Sequence, residues 1–327
     1  MPRVRPRLPA CGRLAEDRHT DKRRSALRRR LASSIACFTL LLTPLSGATS
    51  AYAAESQRSG DTQHAEVRAK TEIILLPEPG ASLYAPYIAD PRRPNFSLQL
   101  MTFSASDIPD SGEHRYGIKM GGLIELVEAR SKDGSDRGWQ LELEAGFIGQ
   151  SDRTQSEDFI GWDGIYGLLA SWRPSDALAY RVGLHHVSAH VGDEYAERTG
   201  RQRINYTRGE LVAGVRASPG GRWHTYAEAG WAYDLRNEAL QRPWRAQLGL
   251  EYIAPWRASA EWYAAADVYA SEERDWRIDR TLQVGIALRR GARTWRFGIE
   301  HYRGRSLLGE FLQNDERYTS LSVWLDL

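Results

Sequence analysis

The chain has 327 residues, 42% hydrophobic and 26% charged, with a formal net charge of +2 and two cysteines. Both cysteines (Cys11, Cys37) fall within residues 1–53, as do 11 of the 44 Lys+Arg but only 3 of the 42 Asp+Glu. The remainder is cysteine-free and holds 33 basic against 39 acidic residues, a net of −6. That excludes disulfides, thiolate metal sites and a basic nucleic-acid footprint from the rest of the chain.

Residues 1–53 have the order of a secretory signal. A basic stretch from Lys22 to Arg30 leads into an apolar run from Leu31 to Leu45, then small residues and Ala51-Tyr52-Ala53. Past it there is no apolar run of about 18 residues, so no spanning helix is expected. Residues 54–70 are polar and read as disordered. Four prolines within 77–91 break any helix and demote any central strand, so 54–94 reads as an extended periplasmic lead. The sequence leaves open whether it tucks under a barrel or into one.

From Asn95 onward the two-residue alternation of strands repeats. It predicts twelve strands at 95–104, 115–127, 138–149, 161–173, 178–190, 204–217, 222–236, 242–254, 257–270, 276–290, 293–303 and 317–327. In 138–149, Trp139, Leu141, Leu143, Ala145 and Phe147 alternate with Gln140, Glu142 and Glu144. Turns after even strands, such as 173–177 and 218–221, are tight and rich in Pro or Gly, with 128–137 the exception. Loops after odd strands, such as 190–203 and 303–316, are mostly longer. Short periplasmic turns, long outer loops, an even strand number and aromatic strand ends describe an all-β, antiparallel transmembrane β-barrel over 95–327. The competitor is a soluble β-sandwich, which needs no aromatic ends and has strands of about five or six residues. The expectation is an exported barrel in the outer membrane, inserted by the barrel-assembly machinery and bathed in outer-membrane lipid and lipopolysaccharide.

The polar face carries both signs: Glu142, Glu144, Glu210, Arg245, Glu251, Glu261, Asp267, Arg277, Asp279, Arg296 and Glu300. Such a face lines a selective pore or fills a small lumen with ion pairs. For about twelve strands we read the filled lumen.

The hairpin 178–217 concentrates the chemistry. Leu178, Tyr180, Val182 and Leu184 continue on one face into His186 and Ser188. On the second arm the oily face is odd-numbered and includes Asn205 and Thr207. A register of Val182 with Leu211 sets Ser188 opposite Asn205, gathering Ser188, His186 and Asn205 on the outer wall. A hydroxyl nucleophile needs an imidazole base, and the base needs an orienting group. The competing reading is a polar strand end, followed by a loop motif of His190, Gly192, Asp193 and Glu194. Asp193 and Glu194 are candidate ligands for calcium, which prefers carboxylate oxygens. Arg198, Arg201 and Arg203 are candidates for lipopolysaccharide phosphates.

The His-x-Ser hairpin resembles outer-membrane phospholipase A, a twelve-stranded barrel that uses His, Ser and Asn facing lipid, with calcium. The family's His-x-Ser-Asn-Gly run is not matched, because Ala189 and His190 follow Ser188. Five stretches across 76–327 resemble a bacterial outer-membrane family of unknown function (domain of unknown function 1207). They are LPEPGASLYAPYIADPRRP, HVSAHVGDEY with RINYTRGELV, YAEAGWAY, PWRAQLGLEY and RFGIEHYRGRSLLGEF with SVWLDL. That family's usual pattern has a second Ser where this chain has Ala189. The resemblance implies a barrel and no known activity. Two readings therefore stand: a non-catalytic envelope, pore or lipopolysaccharide-contacting barrel, and a calcium-assisted lipid acyl hydrolase.

Overall fold

The structure is a computed structural model that describes residues 71–77, 82–133, 135–291 and 293–326. The expected signal sequence at 1–53 and residues 54–70 of the expected lead lie outside these residues.

A short strand, β1 (Thr71–Leu75), precedes twelve long ones. These are β2 (Phe96–Ser106), β3 (His114–Ser131), β4 (Gly138–Asp152), β5 (Asp158–Ser175), β6 (Leu178–Val191) and β7 (Thr207–Ala217). They continue as β8 (Trp223–Arg236), β9 (Trp244–Arg257), β10 (Ala260–Ser271), β11 (Ile278–Arg290), β12 (Arg293–Arg305) and β13 (Asp315–Asp326). Each pairs antiparallel with its sequence neighbours, and β13 pairs with β2, which closes the ring. All twelve predicted strands are present. The turn expected at 128–137 is shorter, because β3 runs on to Ser131. β2 pairs only with residues 114–119 of β3, and β1 fills part of the edge left open, with Leu75 opposite Val127.

Burial is inverted relative to a protein folded in water. Leu321 is 62% exposed and Val182 and Leu282 each 56%, whereas Glu142, Glu251 and Glu300 are fully buried. A sandwich core would reverse both sets; an apolar exterior around a charged interior is what hydrocarbon selects. Aromatic side chains gather at the end with the tight turns. Trp172 stacks on Tyr180 at 5.6 Å, and Tyr252 lies between Trp223 (4.6 Å) and Trp262 (5.0 Å). Amphipathic rings of this kind sit at the headgroup level.

The lead enters the barrel. Leu83, Tyr84, Tyr87 and Ala89 are buried. With its backbone unable to form a ladder, the segment is held by lumen side chains. Leu83 N donates to Gln140 Oε1 at 2.7 Å and Ile88 N to Glu251 Oε1 at 2.7 Å. Tyr87 stacks on Tyr226 at 3.6 Å, and its hydroxyl donates to Glu228 at 3.1 Å. Arg92 pairs with Asp279 at 2.5 Å, and Arg93 pairs with Asp326.

The opposite mouth is covered by two loops. The 192–206 loop contains α1 (Asp193–Thr199), which ends at Gly200 in the left-handed conformation (φ 69°). The 306–314 loop makes one 3-10 turn at Gly309–Phe311. Ile108, Ile160, Val191, Tyr195, Leu308 and Phe311 form a buried cluster there. Gly192 is required where its loop begins: a Cβ at this position would lie 1.6 Å from the carbonyl oxygen of Phe159.

Candidate functional site

The outer-wall site is built by β5, β6 and β7. Along β6, Arg181 and His185 turn into the lumen, where His185 Nδ1 meets Glu144 at 2.6 Å. The intervening positions, and with them His186, Ser188 and His190, face outward, as the parity of the oily face predicts. The contacts among them differ from the expectation. Ser188 Oγ lies 3.3 Å from His190 Nε2. His190 stacks on Trp162 at 4.1 Å, and His186 stacks instead on Tyr166 at 4.4 Å.

The expected register is corrected by two residues. Val182 pairs with Ala213 and Leu184 with Leu211, so Ser188 faces Thr207. Asn205 lies before β7 with φ 55°, in the left-handed region. Alternation fixes which face a residue takes, but a slip of two leaves every face unchanged, so it could not distinguish these pairings. Ser188 and its neighbouring imidazole are therefore together, while His186 and Asn205 are not the partners. Beyond Ser188, His190 makes no side-chain hydrogen bond among the described residues.

Next to His190 is a cleft of about 260 Å³, lined by Phe159, Trp162, Val191, Gly192, Asp193, Glu194 and Arg203. Asp193 is 86% exposed and meets Arg203 at 3.4 Å. No three His, Asp, Glu or Cys side chains among the described residues come together as an ion site. Two carboxylates fall short of the six to eight oxygens that calcium takes, so the donor set does not fit a dedicated calcium site. Of the three loop arginines, Arg198 meets Asp158 at 2.9 Å and Arg201 donates to the Glu310 carbonyl at 2.7 Å, leaving Arg203 the most open.

The lumen charges form a paired network. Glu142 accepts from Ser82 and Ser171, Glu210 holds Arg245 (2.8 Å) and Arg208 (3.1 Å), and Glu251 holds Arg216. Asp267 accepts from Tyr226 at 2.7 Å and Gln247 at 2.8 Å. Glu261 meets Arg289 at 2.7 Å, and Arg296 meets Asp326 at 2.7 Å. Glu300 accepts from Gln99, Gln283 and Tyr318. Arg277 is the exception: it precedes β11, its side chain is 64% exposed, and it pairs with Asp315 at the outer rim. Arg277 lies one residue before the strand begins, where alternation no longer assigns a face. A cavity of about 370 Å³ runs alongside the lead, lined from Arg289, Gly291 and Thr294 at the tight-turn end to Gly309 and Leu312 beneath the cap.

Sequence reasoning missed the cap, whose key residue is Glu310. Fully buried, it accepts the N–H groups of Ile204 (2.7 Å) and Tyr206 (3.2 Å) from the other loop. Asp163 of the lumen accepts the N–H of Gly309 at 3.0 Å. Tyr195 donates to the Pro109 carbonyl at 2.6 Å. Burial raises the pKa of both Tyr195 and Tyr206 above that of free tyrosine. No periodic signal marks such a loop carboxylate.

Residues 44–325 match the family described as protein of unknown function (DUF1207). The chain belongs to this family. No curated protein matches it. Among solved structures, this member of the family is similar to the Salmonella typhi outer membrane phospholipase dimer with bound calcium. The TM-score is 0.50 at 10% identity, over 76% of this chain and 98% of that one. The outer membrane phospholipase A from Escherichia coli gives 0.49 at 9% identity, over 71% and 92%. LpxR from Salmonella typhimurium gives 0.38 at 10% identity, over 71% and 99%. Identities this low establish the shared barrel fold of outer-membrane proteins and leave the activity of this DUF1207 chain to its own residues.

Proposed function

We propose that the protein is a closed, non-catalytic envelope barrel of the outer membrane that acts through its lipid-facing wall and outer rim. The observation that supports this is the filling of the lumen from both ends, by residues 82–95 on one side and by the 192–206 and 306–314 loops on the other. An open pore needs a continuous aqueous path, and here charged lumen groups are spent on one another and on the lead. Reconstitution into planar bilayers tests it: no regular conductance steps are expected, and reproducible steps would overturn the reading.

A second reading, a lipid acyl hydrolase, is favoured by one observation, the Ser188–His190 hydrogen bond on the outward wall. Ser188 would be the nucleophile and His190 the base, with no third group holding the imidazole by a hydrogen bond among the described residues. Release of fatty acid from phospholipid by the purified barrel, with and without calcium, separates the two. Release abolished by Ser188→Ala would favour the hydrolase; we expect none above background.

A further inference from the structure

The outward faces of β11, β12 and β13 carry three arginines in a row. Arg280 is directly opposite Arg303, and Arg303 is directly opposite Arg317. All three are exposed, and none takes part in an ion pair among the described residues. Opposed side chains on antiparallel strands have Cβ atoms about 5 Å apart, and like charges in that relation repel. Inside the lumen, by contrast, the buried arginines Arg208, Arg216, Arg245, Arg296 and Arg305 each meet a carboxylate. On this patch of wall the compensating anion has to come from outside the protein.

The position of the row identifies that anion. The next outward row sets the exposed Leu282 beside His301 and Thr319, with His301 Nδ1 3.0 Å from Thr319 Oγ1. The row after that is apolar: Val284, Ile299 and Leu321. Along β12, Arg303 is eight residues from Trp295, which is exposed on the same face near the tight turns. Eight residues of a tilted strand rise about 20 Å, close to the height of the apolar band of such barrels. The guanidinium groups therefore stand where hydrocarbon ends in the outer leaflet. Planar guanidinium forks match phosphate oxygens bidentately.

We propose that Arg280, Arg303 and Arg317 form a docking row for the phosphates of lipopolysaccharide. This rests on the reading of an outer-membrane barrel working through its wall, and it names the ligand. It replaces the rim arginines of the 192–206 loop as the principal phosphate contact, since Arg198 and Arg201 are engaged within the cap.

The test uses the full barrel purified in detergent, incubated with purified lipopolysaccharide and washed, with retained lipid quantified by mass spectrometry. Wild type should retain lipopolysaccharide, and R280Q/R303Q/R317Q should retain at least tenfold less. R280K/R303K/R317K, which keeps the charge, should stay within about threefold of wild type. R257Q/R290Q/R293Q, which removes three arginines at the opposite rim, should match wild type. Heat-modifiable migration on gels verifies folding. If the triple glutamine variant does not fold, R303Q alone should still lower retention about threefold. Unchanged retention in the folded glutamine variant, or equal loss in the opposite-rim control, overturns the proposal. Displacement of lipopolysaccharide by phosphatidylglycerol at equal concentration overturns the choice of ligand. Conductance steps in bilayers would instead remove the closed-barrel reading and leave lipopolysaccharide retention untouched.

Discussion

Glu310 and Tyr206 meet across the outer mouth of the barrel, the carboxylate accepting the backbone N–H at 3.2 Å while also holding Ile204 N at 2.7 Å. One side chain thus fastens the β12–β13 loop to the β6–β7 loop. Glu310→Ala leaves two buried N–H groups unpaired, at a cost of about 1–3 kcal/mol each. The expected outcome is local: proteases cut within 192–206 in the variant while the strands still migrate as a folded, heat-modifiable barrel. Cleavage rates equal to wild type would show that the apolar cluster of Tyr195, Leu308 and Phe311 suffices without the carboxylate.

Gly192 supports the same cap by a different physical means. Its Cα passes so close to the Phe159 carbonyl that any Cβ must displace backbone. Gly192→Ala is expected to weaken the entry to α1 by roughly 1–3 kcal/mol, the range for overpacking at a tight contact. Hydrogen exchange should quicken at Ala196 and Gly200, whose N–H groups close the helix, and stay slow along β6.

How much of this was legible follows from what period two can encode. It located all twelve strands and placed Ser188 and His186 outward, because hydrocarbon and lumen impose opposite polarities on successive residues. It could not fix a two-residue slip, so Asn205 was set opposite Ser188 where Thr207 stands. It also said nothing of Glu310, whose partners are 104 and 106 positions away on another loop. The arginine row was hidden for a related reason: Arg280, Arg303 and Arg317 become neighbours only when three strands are laid side by side. The prolines of the lead predict an extended chain, but its place in the lumen depends on Gln140, Glu228 and Glu251, which lie on strands far along the sequence.

The cap should loosen at high pH. Tyr195 and Tyr206 have pKa values above the free-tyrosine value of 10.0 because burial penalises the phenolate. A folded-state pKa raised in this way means that the folded cap holds its protons more tightly than the opened one. The stabilisation is complete below pH 10, the opened-state value, and is lost as pH rises toward the folded-state values. Protease cutting in 192–206 should therefore accelerate above pH 10 in wild type and much less in Y195F/Y206F. An acceleration of equal size in the double variant would place the alkaline transition elsewhere.

The lead makes the sharpest prediction. Tyr87 contributes a stacked ring against Tyr226 at 3.6 Å and a hydrogen bond to Glu228, while Arg92 and Arg93 each meet a lumen carboxylate. Y87A removes the ring at a cost of about 3–5 kcal/mol, typical of a buried aromatic truncated to alanine. Removing the two arginines does not orphan their partners, since Asp279 keeps Arg305 and Asp326 keeps Arg296. The strands should therefore tolerate Y87A/R92A/R93A while the lead loses its hold on the lumen. In planar bilayers this variant is expected to show brief conductance steps that wild type lacks, and adding Glu310→Ala should lengthen them by loosening the other closure. Silence from the combined variant, with heat-modifiable migration intact, would mean that the lumen network itself seals the barrel and that the lead only fills space.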